Sequence, residues 1–221
     1  IGQYEYAIKK LEEVLLEHPN YPQAKRELVR VYGITENYEK ALILAKENYE
    51  GNPSNEYHIH AYYNSVLSSK IDKINLEDKK IILSSLLKSI SIISSDRGKN
   101  MEYCMRADYE LHINNDILQA KKIIQEAEEN FGDSIYLLLF KIDLYEREAN
   151  LEGLKQVLKD MKGYNNHNSA YYASYQKCRI YIETLSGNYE GAKRLVNDLK
   201  INENVKNKIR DDVEYLMTKV K

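Results

Sequence analysis

His58 and His60, flanking Ile59, are the first residues in the chain whose chemistry could suit a metal ion. Their spacing argues against it, because residues two apart on a helix point to different sides and cannot close on one ion as an i,i+4 pair can. The acidic pairs Glu12, Glu13 and Asp211, Asp212 are consecutive rather than convergent. Acid–base catalysis needs two groups meeting in a desolvated cleft, so these read as surface charges. Asp96-Arg97-Gly98-Lys99 carries one glycine and no following serine or threonine. It lacks the form of a phosphate-cradling loop and reads as a link between units. Ser84, Ser85, Ser89, Ser91, Ser94 and Ser95 make a polar stripe opposite Ile81, Ile82, Leu86, Leu87, Ile90 and Ile93, with no histidine nearby to serve as a base. These patterns point to no catalytic residue, no metal and no cofactor, and the chain reads as a binding protein rather than an enzyme.

Charge narrows the partners. Lysine plus arginine (32) nearly equals aspartate plus glutamate (34), so no net field draws the chain to phosphate backbones or an anionic membrane. The apolar stretches are short and broken by charges, and Ile1-Gly2-Gln3-Tyr4 has neither a basic nor an apolar leader character. A cytoplasmic protein with a protein or peptide partner is expected, with no nucleic acid and no membrane. Cys104 and Cys178 lie in segments with amphipathic patterning and are expected to be free and buried.

The elements that would position a binding surface come from a repeat. Tyr4, Ala7, Leu11 and Pro19 return as Tyr38, Ala41, Ala45 and Pro53, each 34 residues on. That is the period of a helix–turn–helix unit that stacks on its own copies. Tyr38, Ala41, Ala45 and Asn48 share one helical face, and the alanines let a neighbouring helix approach closely. Ile117, Ala120, Ile124 and Ala127 form a similar face, as do Leu151, Leu154, Leu158 and Met161, and then Ala192, Val196 and Leu199. A polar residue precedes each such helix, namely Gln3, Asn37, Asp116, Asn150 and Asn188, suited to accept a bond from a first-turn N–H.

This spacing predicts twelve helices, near 3–17, 22–33, 37–50, 55–69, 76–94, 99–113, 116–130, 134–148, 151–163, 168–185, 188–199 and 203–220. The fold class is all-α. A single domain over 1–221 is expected, with one enlarged unit at about 55–100 that contains a linker at 71–75, and a capping helix at about 203–220. Ile201, Val205, Ile209, Val213, Leu216 and Val220 give that last helix a narrow apolar stripe. The turn 163–168, leading to Tyr171, Tyr172 and Tyr175, is stretched. The first helix has the pattern of a second helix, so the chain is expected to be part of a longer one.

Gly2-x-Tyr4-x-x-Ala7 through Pro19, and Tyr32 with Tyr38-x-x-Ala41 through Pro53, resemble the tetratricopeptide repeat (TPR) family, with a degenerate continuation from Met101. The resemblance implies a right-handed α-solenoid of antiparallel helix pairs whose first helices line a concave peptide-binding groove. Its groove positions fall on Gln23, Arg26 and Arg30, then Tyr57, His60 and Asn64, then Met105, Tyr109 and His112, then Tyr136, Leu139 and Asp143. The lysine and asparagine set with which some members grip a chaperone's terminal carboxylate is replaced here by Arg26, Arg30, Ala61, Glu102 and Arg106, which departs from that use. The expected role is a scaffold, the sensor or interaction arm of a larger bacterial-type signalling or defence protein. The alternative is self-association through an exposed N-terminal end.

Overall fold

Alanine at the contact face of a helix leaves room for a close neighbour, and the observed packing uses that room. In the structure, a computed structural model describing residues 2–35, 37–70, 73–132, 134–166, 171–199, 201 and 203–220, Ala41, Ala45, Ala120, Ala127 and Ala192 are all buried. Twelve α-helices form among the described residues: α1 (Gly2–Glu17), α2 (Pro22–Ile34), α3 (Tyr38–Gly51), α4 (Glu56–Ser68), α5 (Leu76–Ser91), α6 (Asp96–Tyr109), α7 (Ile117–Phe131), α8 (Ile135–Arg147), α9 (Leu151–Asp160), α10 (Tyr172–Leu185), α11 (Tyr189–Asp198) and α12 (Glu203–Met217). The chain divides into two compact units, Ile1–Phe131 and Gly132–Lys221.

In the first unit each helix packs on the next, and α4 also packs on both α2 and α6. Leu28 and Tyr32 of α2, Ile59, Tyr63 and Val66 of α4, Leu83, Leu86 and Ile90 of α5, and Met101 and Leu111 further on fill its core. Burying such a side chain stabilises by about 1.5–3 kcal/mol. Polar atoms inside are matched: the Tyr63 hydroxyl donates to the Met105 carbonyl at 2.6 Å, tying α4 to α6. Lys79 of α5 is buried, and its Nζ donates to the carbonyls of Ser69 and, at 3.2 Å, Leu67. A cation thereby closes the carbonyl end of α4.

In the second unit α10 packs on α8, α9, α11 and α12. Cys178, Ile180 and Tyr181 of α10 meet Leu154, Val157, Ala192, Val196, Ile209, Val213 and Leu216. The apolar stripe expected of the last helix is buried at Ile201, Ile209, Val213 and Leu216, with Val205 partly covered and Val220 exposed.

One turn recurs between first and second helices. The N–H of Asn37 donates to the Tyr32 carbonyl, that of Asn150 to Tyr145 and that of Asn188 to Glu183, at 2.8, 2.8 and 2.9 Å. The equivalent bond in the α6–α7 turn runs from Asp116 to Glu110 at 2.8 Å, one residue longer, after a π-helical turn at Glu110–Asn114. The residue before the donor has positive φ in three of these turns: Asn115 at 55°, Ala149 at 50° and Gly187 at 79°. Three of the polar residues expected to cap second helices do so, Asp116 accepting from Gln119 N–H at 2.9 Å, Asn150 from Gly153 at 2.9 Å and Asn188 from Gly191 at 3.1 Å. Asn37 makes no such side-chain bond, and Gln3 lies within α1 rather than before it.

Several expectations need correction. The excess length is not held by one enlarged unit, because α3 and α5 begin 38 residues apart (Tyr38, Leu76) and α5 and α7 begin 41 apart (Leu76, Ile117). Asp96-Arg97-Gly98-Lys99 is no link but the first turn of α6, capped by Ser95, whose hydroxyl accepts from Gly98 N–H at 2.9 Å. The helix expected at 76–94 stops at Ser91, and Ile81 is exposed while Leu83 takes the core position. The segment 151–163 is an α-helix to Asp160 followed by a 3-10 turn at Met161–Tyr164. Residues 71 and 72 of the expected linker, and 167–170 of the stretched turn and the helix start, lie outside the described residues.

Candidate functional site

The first helices of successive pairs, α2, α4 and α6, are neighbours in the first unit, so their side chains can act together. Arg26 of α2 lays its guanidinium 5.0 Å from the centre of the Tyr57 ring on α4. Arg97 of α6 lies 5.2 Å from the same ring and donates to the Tyr57 hydroxyl. Two cations on one aromatic ring form a stack across three helices, each contact worth about 0.5–1 kcal/mol at an exposed site. Each arginine also has a carboxylate at the long end of ion-pair distance: Glu27 is 3.9 Å from Arg26, and Glu56 is 3.9 Å from Arg97. Glu27 bonds more closely to Arg30, at 2.8 Å.

His60 and Asn64 of α4 face each other, with the Asn64 amide 3.3 Å from the imidazole Nε2. Desolvation pushes His60 down to about 4, leaving a neutral hydrogen-bonding ring near pH 7. Tyr109 is partly exposed at the end of α6, and His112 in the π-helical turn lies 3.9 Å from Asp108. Met105 departs from the groove position expected of it: it is fully buried at 0% exposure, part of the α4–α6 core, and offers no side chain to a groove. Tyr57 and Arg97 are each the second residue of their helices, so Arg97 is the true counterpart of Tyr57. The frame that led to Met105 overshoots Arg97 by eight residues, about 80° beyond two full turns, which lands on the inward face.

A polar cleft of about 550 Å³ opens beside this stack, where α2, the end of α3 and the start of α4 meet. Gln23 and Arg26 line it from α2, Asn48 and Asn52 from the α3 side, and Asn55 and His58 from the α4 side. Lys25 and Glu47, also in its wall, form an ion pair from α2 to α3. Asn55 caps α4, its side-chain oxygen accepting from Tyr57 N–H at 3.0 Å and His58 N–H at 3.3 Å. His58 is only 9% exposed, and its Nδ1 has no hydrogen-bond partner. Desolvation lowers its pKa, the carbonyls of Asn52 and Asn48 oppose that, and the charge of Arg26 adds to the lowering. In the sequence His58 suggests only a metal ligand. Its place in this cleft depends on the α3–α4 turn, which no spacing rule reports.

In the second unit the groove positions Tyr136, Leu139 and Asp143 lie on α8, all three partly exposed. Leu139 leans on the unit's core and Asp143 bonds Lys177 of α10 at 2.9 Å. Lys177 also sits 5.3 Å over the Tyr181 ring, whose hydroxyl donates to Asp212 of α12. Glu146 lies near these charges; burial first, then the negative charge of Asp212, raises it to about 7 against the pull of Lys177. Among the described residues no group of three or more histidines, cysteines, aspartates or glutamates is placed to hold a metal ion, and no helix is long and apolar enough to cross a membrane. No family model, curated protein or solved structure matches the chain.

Proposed function

We propose that the chain is a protein- or peptide-binding scaffold, its helix pairs wound as a TPR-like right-handed solenoid, that binds through the face of α2, α4 and α6. The observation that supports this reading is the stack of Arg26 and Arg97 on Tyr57. Arginine and tyrosine are the residues that most often dominate binding energy, and here the stack holds their rotamers in advance, which lowers the entropic cost of ordering them on binding. His60 and Asn64 beside it offer a neutral donor and acceptor for a peptide backbone. In this reading the protein works in the cytoplasm, as the interaction arm of a larger bacterial-type signalling or defence protein.

Selection of random peptides against the chain, followed by calorimetry of the recovered sequences, tests the reading. Arg26→Glu and Tyr57→Ala are each expected to weaken binding at least tenfold. Peptides that bind both variants as well as the natural chain would refute it, as would a selection that enriches nothing.

Self-association is the second reading, favoured by Tyr6 at 63% and Leu16 at 83% exposure on α1. Sedimentation of the natural chain and of Leu16→Glu separates the two, since a concentration-independent monomer in both removes it.

A further inference from the structure

We infer that α1 docks on the α1 of a second copy of this chain in an antiparallel, two-fold pairing, in which Tyr6 packs on Leu16 of the second copy and Lys9 pairs with its Glu13. The inference rests on the self-association reading and gives that reading an interface.

The four residues share one face of α1. At about 100° and 1.5 Å per residue they fall within about 80° of arc and spread over about 15 Å of helix. Tyr4, Ile8, Leu11 and Leu15, on the opposite side, are partly buried, and α1 packs on α2. The four-residue face is open: Leu16 is the most exposed large apolar side chain among the described residues, and Tyr6 and Lys9 are exposed as well. Lys10 stands over the Tyr6 ring at 5.8 Å and bonds Glu13 at 2.6 Å, so one edge of the face is ordered before a partner arrives. Lys9 makes no hydrogen bond or ion pair with the described residues, and its charge is left to offer.

Charge selects the occupant, its direction and its register. Along the face the order is tyrosine, lysine, glutamate, leucine. Reversing that order about its midpoint at Leu11 sets each charge against its opposite and each apolar side chain against the other. Parallel pairing in register would set Lys9 on Lys9 and Glu13 on Glu13. Sliding the antiparallel pair by one turn sets Glu13 on Glu13 in one direction and Lys9 on Lys9 in the other. Like charges brought face to face oppose association, so the pattern rejects these alternatives as well as fitting the one arrangement. A two-fold pairing of one patch with itself also closes, leaving no edge for further copies. A helix of 16 residues is about 24 Å long and covers less than the about 800 Å² per partner of a stable dimer. The dimer is therefore weak and dissociates on dilution.

Sedimentation equilibrium of the full chain over a wide range of concentration is expected to show a reversible monomer–dimer step. Lys9→Glu and Glu13→Lys should each weaken it at least tenfold, with circular dichroism unchanged, because each variant faces like charges across the axis twice. Mixing the two variants should restore dimers of natural strength, since every facing pair is then opposite in charge. Direction is read by cross-linking Tyr6→Cys chains mixed with Leu16→Cys chains, Cys104 and Cys178 being buried. Two copies of position 6 would lie about 15 Å apart along the pair. A bismaleimide too short for that span should give mostly the mixed product. A chain that stays monomeric at every concentration removes the self-association reading and this interface with it. A dimer that ignores the charge variants, fails to recover on mixing, or cross-links like positions as readily as unlike ones keeps self-association and overturns this interface.

Discussion

Exchanging the residues at two equivalent turns should move stability in opposite directions. Ala149 and Gly187 occupy the same place in the α8–α9 and α10–α11 turns, each just before the N–H that donates back to Tyr145 or Glu183. Their φ values are 50° and 79°, both in the left-handed region. An L-residue with a Cβ pays about 1–2 kcal/mol to stand there. Glycine avoids that strain but loses more freedom on folding, by about 0.5–1 kcal/mol. The strain wins, so Ala149→Gly should stabilise by about 0.5–1 kcal/mol and Gly187→Ala should destabilise by a similar amount. A Cβ at Gly187 would meet nothing within 4 Å, so φ alone decides that change. Both positions lie in the unit Gly132–Lys221, and in a chain of 221 residues 1 kcal/mol corresponds to about 2–4 °C of melting temperature. Thermal and urea unfolding followed by circular dichroism would measure both variants. If Ala149→Gly is destabilising, or if the two changes share a sign, the account of these turns is wrong.

Gly153→Ala is expected to cost about 1–3 kcal/mol despite the better helix propensity of alanine. Its Cβ would lie 2.7 Å from the Tyr145 ring, and urea midpoints should show the loss, with Gly33→Ala as the unobstructed comparison. Glu146 gives a pH signature: its pKa in the folded chain is about 7 against an ordinary 4.5. Between those values the folded state holds a proton that the unfolded state has released, so stability falls as pH rises through this window and levels off above it. Glu146→Gln should flatten the profile measured from pH 4.5 to 8, and identical profiles would contradict the assigned environment.

Much of the helical plan is written in residue spacing. Tyr38, Ala41 and Ala45, or Ala192 and Val196, mark a face by period alone, and the structure buries the alanines and the valine there. Asp116, Asn150 and Asn188 announce helix starts because a short acceptor side chain has one clear use before a first turn. Around α5 that grammar fails, since its contact face uses Leu83, Leu86 and Ile90 rather than small residues. Without an alanine landmark, the extra residues could not be divided between the two neighbouring pairs. The π-helical turn after α6 is equally silent in sequence, because it substitutes one backbone bond for another. The candidate site was legible in part: Arg26 and Tyr57 came from the regular repeats, whereas Arg97 was hidden by the displaced frame. His58 carried no signal as a cleft residue, because burial without a partner is a property of three packed helices.

The two thiols provide the chain with a pair of internal clocks. Cys104 lies in the first unit and Cys178 in the second, both free and buried. Burial pushes both up, Cys178 to about 12, so neither is a thiolate near neutral pH. Nucleophilic attack needs the thiolate and access, and the folded units withhold both. An alkylating reagent will therefore record opening events rather than surface chemistry. Mass spectrometry of Cys104 and Cys178 peptides after a timed pulse would give the opening rate of each unit in one sample, showing whether they open in concert or independently.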